Sequence, residues 1–291
     1  MSRDNLSAVL GAASEIKTKR AALCEKTLSY ISEIAEVLID EAGDDEIFFR
    51  DDAFIRRYHA VTAFKNESSA AQYNKADVNA VEKQLSEAEK VLLCLRLTDI
   101  LGISGIDGSG TFFDDPPKTS GETVSCVKSR LTDDAYIAFS SEMKSPRVSY
   151  ESDLNEVCQS VLYGKTAYGI IPASNSGTLF AKYGLKTARR ITLDGQDGVK
   201  TAFLLVKKDV DIPKSTENTL FEFMIEDIES INGIMTALEI CNIDPARISY
   251  SANEKTLNAT VRINEDGFCG FLTYLSLNYP DFITVGIYKE L

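Results

Sequence analysis

Between Thr219 and Tyr288 the apolar residues switch between period two and period 3.6 in an order that admits few folds. TLFEFMI (219–225) is a mostly apolar run suited to a strand with one covered face. In the following IESINGIMTALEICN, Ile231, Ile234, Met235, Leu238 and Cys241 recur at three- and four-residue spacing, the mark of one buried helical stripe, and Asn242 is a stop. ARISYSA (246–252) and TLNATVRI (256–263) both alternate. The link between them, Asn253, Glu254 and Lys255, is short enough to favour an antiparallel hairpin. Phe268, Phe271, Leu272 and Leu275 form a second helical stripe, and DFITVGIY (281–288) closes the set as a strand. The segment therefore reads as a split βαβ sandwich, βαββαβ.

This order, with Gly233 at the start of its first helix, resembles an ACT domain, the regulatory module that follows many enzymes of amino-acid metabolism and binds an amino acid at a dimer interface. A missing Cβ at Gly233 permits a ligand's backbone groups to approach closely. The resemblance implies an effector site at Gly233, Ile234 and Ser249. Aromatic-amino-acid-binding ACT domains carry a Glu-Ser-Arg-Pro-like motif on the second strand; Ser249, Tyr250, Ser251 and Ala252 stand there in this chain, which leaves the ligand open.

A formal charge of −13 and a pI near 4.7 argue against a nucleic-acid or anionic-membrane partner, which such a surface would repel. No apolar run approaches the roughly 20 residues of a membrane span, and MSRDNLSAVL is too polar for a secretory signal, so a cytoplasmic location is expected. The cysteines at 24, 94, 126, 158, 241 and 269 form no Cys-x-x-Cys pair and read as reduced core residues. With His59 the only histidine, a His-based metal site and a Ser-His-Asp triad both lack their parts. Neither metal nor cofactor is expected.

Residues 1–104 hold helix formers and no strand run. Leu6, Val9, Leu10, Ala13 and Ile16 begin a stripe that Leu23, Leu28, Ile31, Ile34, Val37 and Leu38 continue, which predicts one long helix ended by Gly43. A shorter helix follows over Asp52 to Phe64. Asp77 can cap a third, carrying Val78, Val81, Leu85, Ala88, Val91, Leu92 and Leu95. Residues 105–121 concentrate Gly, Ser, Asp and Pro and read as a linker. Their Gly-x-Gly lacks the Gly-Lys-Ser/Thr ending of a phosphate loop. From 122 to 212, VSCVKS, DDAYIAFSSEM, PRVSY, SDLNEVCQSVLYG, TAYGIIPA, GTLFAKYG and TAFLLVKK alternate strand and helix, which argues for a mainly parallel sheet. The fold class is thus multi-domain α plus α/β: a helical bundle (1–104), a linker (105–121), a parallel-sheet α/β lobe (122–212) and a ferredoxin-like βαββαβ ACT domain (217–291).

In the lobe, a helix starting at Ser152 leads into a buried strand and the polar turn PASNS. Pro172, Asn175 and Ser176 fall in register with the Pro-Ile-Glu-Asn-Ser of prephenate dehydratases, with Ser174 in place of the Glu. Ser152 with its helix, AKYGL (181–185), the strand VKTAFLLVKK and the order lobe then ACT complete the match, so residues 122 to 291 resemble a divergent member of that family. The resemblance implies decarboxylating dehydration of prephenate to phenylpyruvate in phenylalanine biosynthesis. Thr201 would be the catalytic hydroxyl, and Ser152, Ser174, Asn175, Ser176 and Phe203 would contact substrate. The family's Asn-x-Thr-Arg-Phe aligns with Val199, Lys200, Thr201, Ala202 and Phe203, so Thr201 is kept and the guanidinium is replaced by Ala202. The family's first lobe has no counterpart in the helical segment that takes its place.

Lys186, Arg189 and Arg190 are further candidates for substrate carboxylates, set against a solvated face. Lys17, Lys19, Arg20, Arg56, Arg57 and His59 invite comparison with a chorismate mutase domain but lack its pattern of spaced Arg residues followed by Lys, and read as surface charge and packing. Two functions stay open: a divergent prephenate dehydratase, or a catalytically lapsed protein that senses an amino acid through its ACT domain. The partners expected are a small-molecule substrate or amino-acid effector and a second copy of the chain, held through the ACT domain and the helical bundle.

Overall fold

The computed structural model describes residues 3–40, 49, 52–62, 85–103, 123–141, 143, 145–194, 199–210 and 217–290, with backbone alone at 3–20, 176–178 and 181. The expected caps at Gly43 and Asp77, the linker 105–121 and the side chain of Ser176 lie outside what is described.

Helix α1 (Arg3–Asp40) is the single long helix its stripe predicts, and α2 (Asp52–Thr62) follows. Helix α3 (Glu87–Ile100) starts after Ser86. Ser86 Oγ accepts from the Glu89 amide at 3.3 Å while Glu89 Oε2 accepts from the Ser86 amide at 2.8 Å, a reciprocal capping box written in the sequence as Ser-x-x-Glu.

The lobe comprises β1 (Thr123–Val127), α4 (Arg130–Ser140), β2 (Arg147–Glu151), α5 (Leu154–Leu162), β3 (Tyr168–Pro172), a 3-10 turn (Ala173–Asn175), α6 (Ser176–Tyr183), β4 (Lys186–Asp194) and β5 (Lys200–Lys207). Strand β1 pairs parallel with both β2 and β3, but β5 runs antiparallel to β3 and to β4. The lobe's sheet is therefore mixed, not mainly parallel. The strand absent from the periodicity reading is β4, and the parallel run breaks at β5, which lies antiparallel between β3 and β4. Its sheet is covered on both faces. Val124, Cys126, Ile170, Phe203 and Leu205 pack under Ala135 and Phe139 of α4. Ile171, Leu204 and Val206 pack under Val157, Cys158 and Val161 of α5 and Leu179 of α6.

The C-terminal part contains β6 (Thr219–Ile225), α7 (Asn232–Ile240), β7 (Pro245–Ser251), β8 (Thr256–Arg262), α8 (Phe268–Asn278) and β9 (Ile283–Glu290), the βαββαβ order expected. All its pairings are antiparallel, in the order β9-β6-β8-β7. Phe221, Phe223, Ile287, Leu257 and Ala259 alternate onto the face that α7 and α8 cover.

Two features tie together what the sequence divides. Strand β4 pairs in parallel with β9, so lobe and C-terminal part share one nine-stranded sheet, β2-β1-β3-β5-β4-β9-β6-β8-β7. An unpaired edge leaves backbone groups unsatisfied, and this pairing satisfies one edge of each half. The helical segment is not a separate core either: α3 lies across α7 and α8, α1 packs on α3, and α2 reaches α8. Phe54, Tyr58, Val91, Cys94 and Leu97 share one apolar cluster with Phe223, Ile234, Phe271 and Leu275.

Candidate functional site

The chain leaves β1 at Val127 and turns into α4 on one face of the sheet. It leaves the adjacent β3 at Pro172 and turns into α6 on the other face. Neighbouring parallel strands whose connections depart to opposite faces open a crevice at their carboxyl ends, the place where open α/β sheets bind ligands.

Each wall is built locally. On the β1 side Ser129 caps α4, its Oγ accepting from the Thr132 amide at 3.2 Å. The buried Thr132 hydroxyl donates to the Val127 carbonyl at 2.7 Å. Lys128 and Arg130 flank this start and are exposed. The Lys128 ammonium lies 5.4 Å from the centre of the Tyr150 ring, and Tyr150 donates to Asp133 Oδ1 at 3.0 Å. On the β3 side the turn exposes Ser174 and Asn175, with the Ser174 hydroxyl donating to Asn175 Oδ1 at 3.1 Å. Asn175 occupies the cap position of α6 without a side-chain hydrogen bond to it.

Thr201 belongs to the same edge. Pro172 at the end of β3 faces Phe203 on β5, so Thr201, two residues earlier on the antiparallel strand, stands beside the 3-10 turn, which β5 touches. Thr201 is half-buried, opposite Leu193 of β4, and shares the α4 side of β5 with Phe203. The structure thus places Thr201 at the same edge of the sheet as the Ser174–Asn175 turn.

Other candidates have different work. Phe203 is 3% exposed and packs beneath α4, so it fills the core rather than facing a ligand. Ser152 is exposed, but its hydroxyl and amide both donate to Glu156 Oε2, at 2.8 and 3.1 Å, and Asp153 rather than Ser152 caps α5. Lys186, Arg189 and Arg190 lie away from the crevice, toward the β4–β9 seam. Lys186 Nζ donates to the Thr284 carbonyl at 2.6 Å, Arg189 to the Ala188 carbonyl at 2.8 Å, and Arg190 Nε is 3.2 Å from Glu290 Oε1. Burial draws the Lys186 ammonium below its usual range. The residues missed are Lys128, Asp133 and Tyr150, whose meeting depends on β1–β2 pairing and leaves no local pattern.

The three effector candidates are not brought together. Ile234 is 1% exposed inside the shared core. Ser249 is exposed on β7 and points to the face opposite α7 and α8, because its neighbours Ile248 and Tyr250 pack toward the helices. Gly233, buried in the first turn of α7, faces α3: a Cβ there would lie 2.6 Å from Tyr274 Oη, 2.9 Å from Glu87 Oε2 and 3.1 Å from Tyr279 Oη. Glu87 also pairs with Lys90 at 2.7 Å. Burial pushes the Glu87 carboxyl up, but hydrogen bonds from Lys90 and Tyr274 outweigh it and hold it below the usual carboxylate range.

Among the described residues no group of three or more His, Cys, Asp or Glu could hold a metal ion, and no helix is long and apolar enough to cross a membrane. No family model and no curated protein matches the chain. Among solved structures it is similar to a prephenate dehydratase from Streptococcus mutans, at 14% identity over 58% of this chain and 98% of that one, with a TM-score of 0.46. A prephenate dehydratase from Arthrobacter aurescens in complex with L-Phe is similar at 10% identity over 57% and 90%, with a TM-score of 0.44. A structure described as a novel type of quorum quenching acylase, GqqA, is similar at 10% identity over 58% and 96%, with a TM-score of 0.47. The chain is thus similar in structure, at low identity, to prephenate dehydratases.

Proposed function

We propose that the chain is a divergent prephenate dehydratase-like protein of aromatic amino acid biosynthesis, with its substrate in the crevice between β1 and β3. The observation that carries this reading is the meeting of Thr201 with the Ser174–Asn175 turn and the start of α4 at one edge of the sheet. Prephenate takes up one proton on its ring hydroxyl and loses water and carbon dioxide, which leaves aromatic phenylpyruvate. Thr201 would donate a hydrogen bond to the departing hydroxyl, and Lys128, Arg130 and the helix starts would hold the carboxylates. The test is incubation of the pure chain with prephenate while phenylpyruvate is followed by absorbance. Turnover that stays at background at high protein concentration removes the catalytic reading.

A second reading has its own support. Ala202 stands where the resemblance would place an arginine, and the hydroxyls of Ser152 and Ser174 are engaged by Glu156 and Asn175. These features suit a catalytically lapsed protein that regulates a pathway by binding an amino acid. Calorimetry with phenylalanine and tyrosine tests that role, and heat at background level for both would count against it. We also infer a homodimer held through α1 and the C-terminal module.

A further inference from the structure

Strand register puts one cation and one ring on the same side of the crevice. Val124 and Cys126 of β1 and Val148 of β2 pack toward α4, and Cys126 pairs with Tyr150, so Tyr150 shares that side. Cys126 also pairs with Ile170 of β3, which sets Lys128 level with Pro172, the residue that faces Phe203. Thr201 lies one two-residue step beyond Phe203 on the same side. Two strand spacings and one such step separate the Lys128 and Thr201 backbones by about 12 Å, a gap that a lysine side chain and a ring-sized ligand fill together. An ammonium is strongly hydrated and its stem flexible, yet the exposed Lys128 Nζ stands 5.4 Å from the centre of the Tyr150 ring, within cation–π range. Tyr150 is itself 46% exposed, so packing alone does not fix its ring. Its hydroxyl donates to Asp133 Oδ1 at 3.0 Å, and Asp133 sits in the first turn of α4, where a carboxylate is favoured. The ring is thus held at both ends, by β1–β2 pairing at its backbone and by α4 at its hydroxyl.

We propose that Tyr150 is a positioning residue of the crevice: its ring holds the Lys128 ammonium for a ligand carboxylate on the α4 side of the sheet, and its hydrogen bond to Asp133 fixes the ring. The inference rests on the reading that the crevice takes a ring-bearing carboxylate, and it names what orients the cation there. A guanidinium brings a planar fork of its own to a carboxylate, whereas an ammonium on a four-carbon stem has to be held from outside. Ordering that stem before binding removes part of the cost of immobilising it afterwards. Contact with the ligand belongs to Lys128, and Tyr150 acts only through it. In a chain that already lacks the Lys128 ammonium, loss of the Tyr150 ring therefore costs nothing further.

The test reads Lys128 by magnetic resonance and by kinetics. The full chain is reductively methylated with carbon-13 formaldehyde, and the Lys128 signal is the one missing from Lys128→Arg. Ring current should displace that signal in the parent and in Tyr150→Phe, while Tyr150→Leu should return it to the position of other exposed lysines. Sodium phenylpyruvate, with sodium chloride of equal concentration as control, should move the signal in the parent and move it less in Tyr150→Leu. With prephenate, Tyr150→Leu should raise KM about threefold and leave kcat within about twofold. Lys128→Met should raise KM about tenfold, and the double variant should match Lys128→Met alone. A Lys128 signal that Tyr150→Leu leaves in place, or two KM effects that multiply, overturns the positioning role even where the parent turns prephenate over. Where the parent shows no turnover, the reaction falls and the Lys128 signal decides. Displacement by phenylpyruvate that depends on the Tyr150 ring upholds the positioning role in a binding protein, and no displacement overturns it.

Discussion

The hydroxyl of Tyr274 donates a 2.6 Å hydrogen bond to the carboxylate of Glu87, a residue 187 positions away in the sequence. That bond fastens the start of α3 to the helix layer of the C-terminal sheet. Replacing Tyr274 by Phe removes the donor while keeping the ring that packs at 6.1 Å from Tyr279. A hydrogen bond to a charged group contributes about 1.5–3 kcal/mol, so Tyr274→Phe should destabilise the chain by about 2 kcal/mol in urea unfolding. A change below about 0.5 kcal/mol, the range of neutral surface substitutions, would show that the contact does not fasten α3.

Acid should loosen the same contact. The groups around Glu87 are Lys90 on its own helix, Tyr274 and Tyr279, with Tyr58 and Cys94 further into the core. Because the folded chain holds this carboxyl lower than the unfolded chain does, its contribution is complete at neutral pH. It is lost as the pH falls below the ordinary carboxylate range and through the depressed value. Amide exchange in α3 relative to α8, measured from neutral pH down to acid, should rise first in α3. In Glu87→Gln that difference between the helices should no longer depend on pH.

Cysteine chemistry should separate one thiol from the rest. Cys24 is exposed on α1, whereas the other five are buried. Burial pushes the thiols of Cys126, Cys158 and Cys269 up to about 11 and that of Cys241 up to about 12, and raises Cys94 further. Only a thiolate attacks a disulfide reagent. Native titration with such a reagent near pH 8 should therefore release one equivalent quickly, and Cys24→Ser should abolish that phase.

If the crevice performs the proposed reaction, Thr201→Val should lower kcat by about 10²-fold, the usual effect of removing one donor to a developing charge. KM should change little, since valine keeps the β-branched shape opposite Leu193. Lys128→Met should instead raise KM. A Thr201→Val enzyme as fast as its parent would remove the assigned role.

Helix α1 carries Leu23, Tyr30 and Val37 one heptad apart and 66%, 41% and 51% exposed. Its earlier half holds Lys17, Lys19 and Arg20 and its later half Glu33, Glu36 and Asp40, so an antiparallel second copy brings opposite charges together. Light scattering should give a dimer for the parent chain and a monomer when all three apolar residues become serine. A monomeric parent at tens of micromolar would rule out pairing through α1.

Much of the local structure was legible because it depends on consecutive residues. The run TLFEFMI became β6 over the residues expected, the stripe from Ile234 to Leu238 became part of α7, and Asn253 to Lys255 closed an antiparallel hairpin. The edge that gathers Thr201, Ser174 and Asn175 was also legible, since it follows from strand direction and turn position. Strand β4 was not. Its positions alternate poorly, and its charges Lys186 and Arg190 read as solvated until β9 supplies the Thr284 carbonyl and Glu290.

What the sequence determined by itself is therefore the set of elements and the side chains each presents, because helical and strand periods are written within a few turns. What only the tertiary structure decided is which edges and faces meet. The β4–β9 pairing makes one sheet of two halves, and α3 lies on Gly233 and Gly270 with Glu87 hydrogen-bonded by Tyr274. Those choices depend on satisfying unpaired backbone edges and burying apolar faces between residues far apart in the chain, and no local pattern contains them.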